Sequence, residues 1–112
     1  MKDDRLYLVH ILECIKRIEE YTRPGRAAFL DQPIRQDAVL RNLHTLTEST
    51  SRLSEEIRAQ RPDVDWRSIR GFRNVVVHDY LGVDIERIWM VIERDLPALK
   101  SAVRDLFDDI GD

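Results

Sequence analysis

Apolar residues recur at steps of three and four along most of this chain, a spacing that places them on one face of an α-helix. The pattern predicts a first helix from about Asp3 or Asp4 to Tyr21, ended by Arg23-Pro24-Gly25. A short irregular piece containing Phe29 is expected next. The apolar face of the first helix consists of Leu8, Ile11, Leu12, Ile15 and Ile18.

The middle of the chain predicts one long amphipathic helix from about Pro33 to Gln60. Its apolar positions alternate in steps of four and three, with a single polar step at Thr50. Arg61-Pro62 interrupts the pattern, because proline lacks the backbone donor that a helix interior needs. The core-facing positions of this helix are Val39, Leu43, Leu46, Thr50, Leu53 and Ile57.

A third helix is predicted from Trp66 to about Tyr80, with Asp65 as its N-cap and Leu81-Gly82 as its end. Three of its residues fall within about 60° of one another on a helical wheel and should face the core. They are Ile69, Phe72 and Val76.

Asp84 is placed to cap a last helix, and Pro97 should kink or restart it, with Asp95 available as a second cap. Four substantial helices with short connections predict an all-α, up-and-down bundle of four to five helices. The length of 112 residues gives room for a single domain spanning residues 1–112. The apolar side of the last helix holds Ile85, Ile88, Trp89, Ile92, Leu96, Leu99, Val103 and Leu106.

The composition, 43% hydrophobic and 35% charged, is typical of a soluble globular protein and excludes an intrinsically disordered chain. No apolar stretch reaches the roughly 18–20 residues that a membrane helix needs. The charged start Met1-Lys2-Asp3-Asp4-Arg5 is not followed by the apolar region of a secretory signal. Cys14 is the single cysteine and cannot form an internal disulfide. These features predict a cytoplasmic protein that does not contact a membrane.

The formal net charge of -3 excludes a protein that binds nucleic acid by bulk attraction, so contact with phosphate has to be local. Residues 52–73 carry an excess of basic side chains, whereas residues 84–112 carry an excess of acidic ones. Most of the basic residues are arginines, whose planar guanidinium binds phosphate oxygens in pairs. The central third of the chain is therefore the part suited to face a phosphate.

The third helix has an outward face that is apolar at its centre. This face consists of Arg70, Asn74, Val77 and Leu81, flanked by Arg73 and Tyr80 on one side and by His78 on the other. Val77 is β-branched and cannot reach the core that Val76 faces, so it needs cover from another surface. A second copy of the chain across a two-fold axis is the simplest cover, and the sequence therefore predicts a homodimer.

Residues 73–80 read Arg73-Asn74-Val75-Val76-Val77-His78-Asp79-Tyr80 and contain the complete pattern R-x4-H-x-Y. This pattern resembles the signature of the HEPN superfamily, in particular of HepT-like toxins, the RNase partners of minimal nucleotidyltransferase antitoxins. A second R-x4-H match, from Arg5 to His10, has Leu12 where the pattern requires tyrosine. The similarity covers nearly the whole chain and includes Phe29-Leu30, residues 36–41, Arg52-Leu53-Ser54, the turn at residues 62–66, residues 78–84 and Asp95-Leu96-Pro97.

Arg73 and His78 lie about 140° apart on an ideal helix, so one chain does not aim both at the same point. Two copies can line one cleft with both motifs, and the resemblance also implies a composite site across a homodimer. His78, with an ordinary pKa near 6.5, suits proton transfer, and Arg73 suits stabilisation of a phosphate. Arg70 and Asn74 are candidates for orienting the RNA backbone. Such RNA cleavage requires no metal, and no cofactor is expected.

The role expected for Tyr80 is inferred only from the resemblance to the HepT-like family. In HepT-like pairs the antitoxin transfers AMP to this tyrosine, which implies that a nucleotidyltransferase antitoxin neutralises the chain at Tyr80. The added nucleotide would bring negative charge beside Arg73 and occupy the anion site of the substrate. The resemblance thus implies the toxin of a type II toxin–antitoxin system, or of a system in which the antitoxin is a modifying enzyme.

Two other functions are compatible with the sequence. A non-catalytic HEPN module would use the same helical dimer only to bind a nucleotidyltransferase. A structural helical adaptor fits the heptad-like pattern but gives Arg73, His78 and Tyr80 no role. In the structural interpretation of the motif, Arg73 is a surface residue and His78 completes a helix cap.

Several other reactive or aromatic residues are expected to have structural roles. His10 and His44 have no partners at metal-ligand spacing, and Cys14 is expected to be a packed residue rather than a nucleophile. Trp66 and Trp89 are expected to pack in the core and at a helix start. The acidic residues near the end of the chain are expected to form a solvated face, and they are Asp105, Asp108 and Asp109.

Overall fold

A computed structural model describes residues 2–69 and 84–110 of the chain. Over these residues the structure contains helices and no strand, which confirms the predicted all-α, HEPN-like fold. None of these helices combines the length and the apolar character that a membrane span requires. The helices are α1 (Lys2–Thr22), α2 (Arg26–Asp31), α3 (Pro33–Ser51), α4 (Glu55–Ala59), α5 (described over residues 66–69), α6 (Ile85–Arg94) and α7 (Leu96–Ile110).

Helix α1 packs between α3 and α7 and is antiparallel to both. Near its end, the backbone carbonyl of Tyr21 accepts a hydrogen bond from Arg35 at the start of α3, at 3.1 Å. Near its start, the Arg5 guanidinium lies over the Phe107 ring at the end of α7, 5.4 Å from the ring centroid. These contacts give the up-and-down arrangement that the sequence predicts.

The predicted apolar faces form one continuous hydrophobic core. Leu12, Ile85 and Trp89 are half-buried at its edge, and Thr50 is buried as the single polar step of α3. Ile69 of α5 is also buried, whereas Phe72 and Val76 lie outside the described residues. The predicted positions that are buried in the core are Leu8, Ile11, Ile15, Ile18, Val39, Leu43, Leu46, Leu53, Ile57, Ile69, Ile88, Ile92, Leu96, Leu99, Val103 and Leu106.

The piece around Phe29, expected to be irregular, is the short helix α2, so that prediction is wrong. Gly25 precedes it with a φ of 102°, a conformation that favours glycine and that turns the chain after α1. Phe29 is fully buried, and its ring centroid lies 5.5 Å from that of Trp89 on α6. Six residues are too few to show a helical period, so tertiary packing of Phe29 decides this element.

The prediction of one long helix from Pro33 to Gln60 is also wrong, because α3 ends at Ser51 and a separate helix, α4, begins at Glu55. Ser54 caps α4, since its hydroxyl accepts a hydrogen bond from the Ile57 backbone N–H at 3.2 Å. Leu53 and Ile57 remain buried on either side of this cap. The helical spacing of apolar residues therefore continues past the end of α3. The spacing alone does not show that the helix is interrupted there.

The last predicted helix is divided as expected. Helix α6 ends at Arg94 and α7 begins at Leu96, with Pro97 in the first turn, where its missing N–H has no intrahelical partner to lose. Asp95 separates the two helices, and its backbone carbonyl accepts a hydrogen bond from Leu99 at 3.2 Å. The restart at Pro97 is thus confirmed.

Candidate functional site

The five predicted site residues share one segment of the chain. Arg70, Arg73, Asn74, His78 and Tyr80 lie within residues 70–83, outside the described residues. Their roles and the predicted meeting of two motifs across a homodimer stay predictions. The structure does describe how the chain enters and leaves this segment.

The helix that enters the motif segment begins at Trp66 and is capped by Asp65, as predicted. One carboxylate oxygen of Asp65 accepts a hydrogen bond from the Ser68 backbone N–H at 3.0 Å, and the other accepts one from the Ser68 hydroxyl at 2.7 Å. These two hydrogen bonds from Ser68 hold the pKa of the Asp65 carboxyl below its usual value. The start of α5 is therefore fixed by local hydrogen bonds.

The start of α5 is also attached to the loop before it. The Trp66 indole Nε1–H donates to the backbone carbonyls of Arg58 and Arg61, each at 3.1 Å. The Arg61 guanidinium in turn forms ion pairs with Asp63 and with Asp105 of α7, each at 2.7 Å. Hydrogen bonding to Arg61 lowers the pKa of the Asp63 carboxyl. Trp66 thus has the helix-start packing role that the sequence predicts.

The helix that follows the motif segment begins with the predicted Asp84 cap. Asp84 Oδ1 accepts a hydrogen bond from the Arg87 backbone N–H at 3.2 Å. In the same first turn, Glu86 forms an ion pair with Arg26 of α2 at 3.3 Å. Trp66 contacts residues at the end of α4, whereas Asp84 lies close to α2, so the two helix starts lie towards opposite ends of the bundle.

The structure assigns packing or surface roles to several residues outside the motif. In the second R-x4-H match, Arg5 contacts Phe107, and His10 makes an edge contact with the Tyr7 ring at 6.4 Å between centroids. His44 is exposed on α3. Cys14 is buried in the core, and burial raises the pKa of its thiol. These positions match the structural roles expected for them.

The remaining expectations concern possible metal ligands and the acidic residues near the end of the chain. Within residues 2–69 and 84–110, no group of three or more His, Cys, Asp or Glu side chains is arranged to hold a metal ion. Asp108 and Asp109 are exposed, in agreement with a solvated face. Asp105 is exposed as well, but it is held by Arg61.

Sequence reasoning missed a groove between α1 and α3. This groove has a volume of about 430 Å³. Its two basic residues, Arg17 and Arg41, come from different helices and are 24 positions apart, so no local motif identifies them. The lining residues are Arg17, Tyr21, Ala38, Arg41, Asn42 and Thr45.

An all-α bundle with an R-x4-H-x-Y segment between two capped helices belongs to the class of helical HEPN-type ribonucleases. Comparison with known proteins gives the family. A family model described as "Ribonuclease HepT-like" matches residues 11–106, which include the whole motif. The chain belongs to the HepT-like ribonuclease family.

Individual relatives agree with the family match. A candidate RNase of Caldanaerobacter subterraneus subsp. tengcongensis is 34% identical over 107 residues, covering 95% of this chain and 96% of that protein. A protein of Thermococcus cleftensis named "Probable ribonuclease HepT" is 33% identical over 101 residues, covering 89% of this chain and 92% of that protein.

A third relative is longer than this chain. It is a Methanocaldococcus jannaschii protein whose name describes it as a gamma-glutamylcyclotransferase and a candidate RNase, and it is 33% identical over 110 residues. The alignment covers 97% of this chain but 50% of that protein. No solved structure gives a significant match.

Proposed function

We propose that the chain is a metal-independent endoribonuclease of the cytoplasm and the toxin of a toxin–antitoxin pair. The observation that supports this proposal most directly is the complete motif of Arg73, His78 and Tyr80, which falls inside the region matched by the HepT-like ribonuclease family. The relatives named as ribonucleases support the same activity.

The proposed reaction uses a nucleophile that RNA itself supplies. His78 removes the proton of a ribose 2′-hydroxyl, and the 2′-oxygen attacks the adjacent phosphorus while the bond from phosphorus to the 5′-oxygen breaks. The leaving 5′-oxygen takes up a proton, so the products end in a 2′,3′-cyclic phosphate and a 5′-hydroxyl. Arg73 stabilises the negative charge that develops on the phosphoryl oxygens, and Arg70 with Asn74 positions the backbone.

The proposed enzyme is a homodimer with a composite site. On an ideal helix Arg73 and His78 point in directions about 140° apart, so pairing two copies is a simpler way to bring both side chains to one phosphate than bending the long Arg73 side chain back within one chain. The need to cover Val77 supports the same arrangement. The site would be incomplete in a single chain.

The proposed regulation acts at Tyr80. A nucleotidyltransferase antitoxin would transfer AMP to the tyrosine hydroxyl, whose oxygen attacks the α-phosphorus of ATP and releases pyrophosphate. The new phosphodiester carries a negative charge two residues from His78 and competes with RNA for Arg73. This modification would switch the ribonuclease off.

Expression in a bacterial host tests the proposal. The wild-type chain should arrest growth, and His78→Ala should abolish the arrest while gel filtration with light scattering still shows a dimer. With its antitoxin, the wild type should be neutralised and Tyr80→Phe should stay toxic. A non-catalytic HEPN module predicts instead that the wild type and His78→Ala both bind the nucleotidyltransferase and neither degrades RNA.

A further inference from the structure

The groove between α1 and α3 differs from three other grooves on the described surface in having no acidic residue in its lining. Two of those grooves are lined by several acids each, and the one between α1 and α7 includes Glu19 and Glu20 beside its basic residues. The α1–α3 groove is lined by Arg17 and Arg41 and by no carboxylate. On a chain with net charge -3, the charged residues that line this groove are therefore both basic.

Among the residues that the structure describes, neither arginine of the groove forms an ion pair with an acid. The ion pairs that the described residues form with one another involve Arg26, Arg61 and Lys100, and none includes Arg17 or Arg41. Both side chains are exposed and come from two facing helices, so both guanidinium groups are available to one ligand. Paired guanidinium groups favour the oxygens of a phosphate.

The groove also contains acceptors that a bare phosphate could not use. Asn42 is only 8% exposed, and its amide nitrogen donates to the Ala38 carbonyl at 2.8 Å, which leaves its side-chain oxygen to accept. The Thr45 hydroxyl donates to the Arg41 carbonyl at 3.1 Å, so only its lone pairs remain. A ribose 2′-hydroxyl is a donor that these oxygens can bind, and it distinguishes RNA from DNA.

The groove lies towards the end of the bundle at which the motif segment ends. Tyr21, which lines the groove, is in the last turn of α1, just before α2. Arg26 at the start of α2 pairs with Glu86 in the first turn of α6, two residues after Asp84. The groove and the start of α6, which follows the motif segment in the chain, therefore lie towards the same end of the bundle.

We propose that the α1–α3 groove is an RNA-backbone subsite in which Arg17 and Arg41 bind a phosphate of the substrate outside the scissile position. The proposal rests on the ribonuclease function proposed above and assigns part of its substrate binding to a surface remote in sequence from the motif. Asn42 and Thr45 contact the ribose, and the subsite contributes to affinity and not to the chemical step.

The test measures binding of a fluorescein-labelled 12-nucleotide single-stranded RNA in a His78→Ala background, which keeps the RNA intact. Arg17→Gln and Arg41→Gln should each raise the Kd about three- to tenfold. The double variant should make the plot of log Kd against log salt shallower by about 0.7, since each phosphate neutralised on a single strand contributes about 0.7 and both arginines bind the same phosphate. Arg94→Gln, an exposed arginine on α6 outside the groove, should leave both quantities unchanged.

The same substitutions in the wild-type chain should raise KM for RNA cleavage with little change in kcat. A DNA of the same sequence should bind more weakly than the RNA and respond less to Thr45→Val. Equal Kd and equal salt slope for the double variant and its parent would overturn the subsite, as would an equal loss in Arg94→Gln. If the double variant lost antitoxin binding while its RNA binding stayed intact, the RNA subsite would also be overturned. If the wild type fails to cleave RNA while the arginine variants still weaken RNA binding, the proposed catalysis is wrong and the subsite stands.

Discussion

The carboxylate of Asp4 accepts two hydrogen bonds from Ser54, fifty positions further along the chain: one from its backbone N–H at 2.8 Å and one from its hydroxyl at 2.7 Å. Asp4 is only 4% exposed, although it lies in the first turn of α1. The Ser54 hydroxyl also accepts from Ile57, so one cluster joins the start of α1 to the start of α4.

Replacing Asp4 by alanine should reduce the free energy of unfolding by about 1–3 kcal/mol, because the substitution leaves the Ser54 N–H without a partner in a half-buried position. Urea denaturation followed by circular dichroism measures the change. Asp3→Ala is the matched control, since Asp3 is an exposed acid in the same first turn. Equal losses for the two variants would show that charge at the helix start matters and the contact with Ser54 does not.

Because Asp65 caps α5, we expect the stability of the fold to fall at acid pH as this carboxylate is protonated. The pKa of Asp65 is lower in the folded chain than in the unfolded chain, so its carboxylate stabilises the fold above about pH 4. This contribution is lost as the pH falls through the folded pKa. Asp65→Asn retains a good capping side chain but does not titrate.

Between pH 5 and 2.5, the urea midpoint of the wild type should therefore fall more steeply than that of Asp65→Asn. Asp108→Asn, which changes an exposed acid of α7, should follow the wild type. Parallel curves for all three proteins would contradict the role given to the Asp65 cap.

The sequence predicted the fold correctly where a single residue or a regular spacing determines the local structure. Asp65 and Asp84 cap helices, Pro97 restarts one, and the apolar period of α1 identifies its buried face. The break after Ser51 could not be predicted, because Leu53 and Ile57 keep the helical period on both sides of it. Ser54, which follows the break and caps α4, bonds to Asp4 fifty positions away, and local patterns do not contain such contacts.

Thr50 is a polar residue of the core whose hydroxyl is bonded within its own helix. Its side chain is 1% exposed, and its hydroxyl donates to the Leu46 carbonyl at 2.9 Å, one turn earlier in α3. Thr50→Val should change the free energy of unfolding by less than about 1 kcal/mol, because that carbonyl keeps its helical hydrogen bond. Leu46→Ala should cost about 2–5 kcal/mol in the same urea titration. A comparable loss for Thr50→Val would mean that the hydroxyl is essential to the core.

Cys14 should be unreactive in the folded protein. It is 3% exposed, and burial raises the pKa of its thiol, so little thiolate reaches solvent at neutral pH. Modification by a disulfide reagent such as DTNB should be slow in buffer and immediate in denaturant. Rapid modification of the folded chain would contradict the burial of Cys14.

As with the fold, only part of the candidate site could be predicted from the sequence. Arg73, His78 and Tyr80 could be recognised because they lie together in the sequence in one short pattern. Arg17 and Arg41 could not, because only the antiparallel packing of α1 on α3 brings them to one groove. The pairing of two chains, on which the proposed site depends, stays a prediction that rests on the exposed position expected for Val77 and on the family resemblance.

In the proposed function, His78 and Arg73 cleave RNA without a metal ion. The most direct measurement incubates the purified chain with RNA in excess EDTA and identifies the product ends by mass spectrometry. We expect 2′,3′-cyclic phosphate and 5′-hydroxyl ends for the wild type and for His44→Ala, which changes an exposed histidine on α3, and no cleavage by His78→Ala or Arg73→Ala. Cleavage that EDTA abolishes, products ending in a 3′-hydroxyl, or full activity of His78→Ala would contradict it.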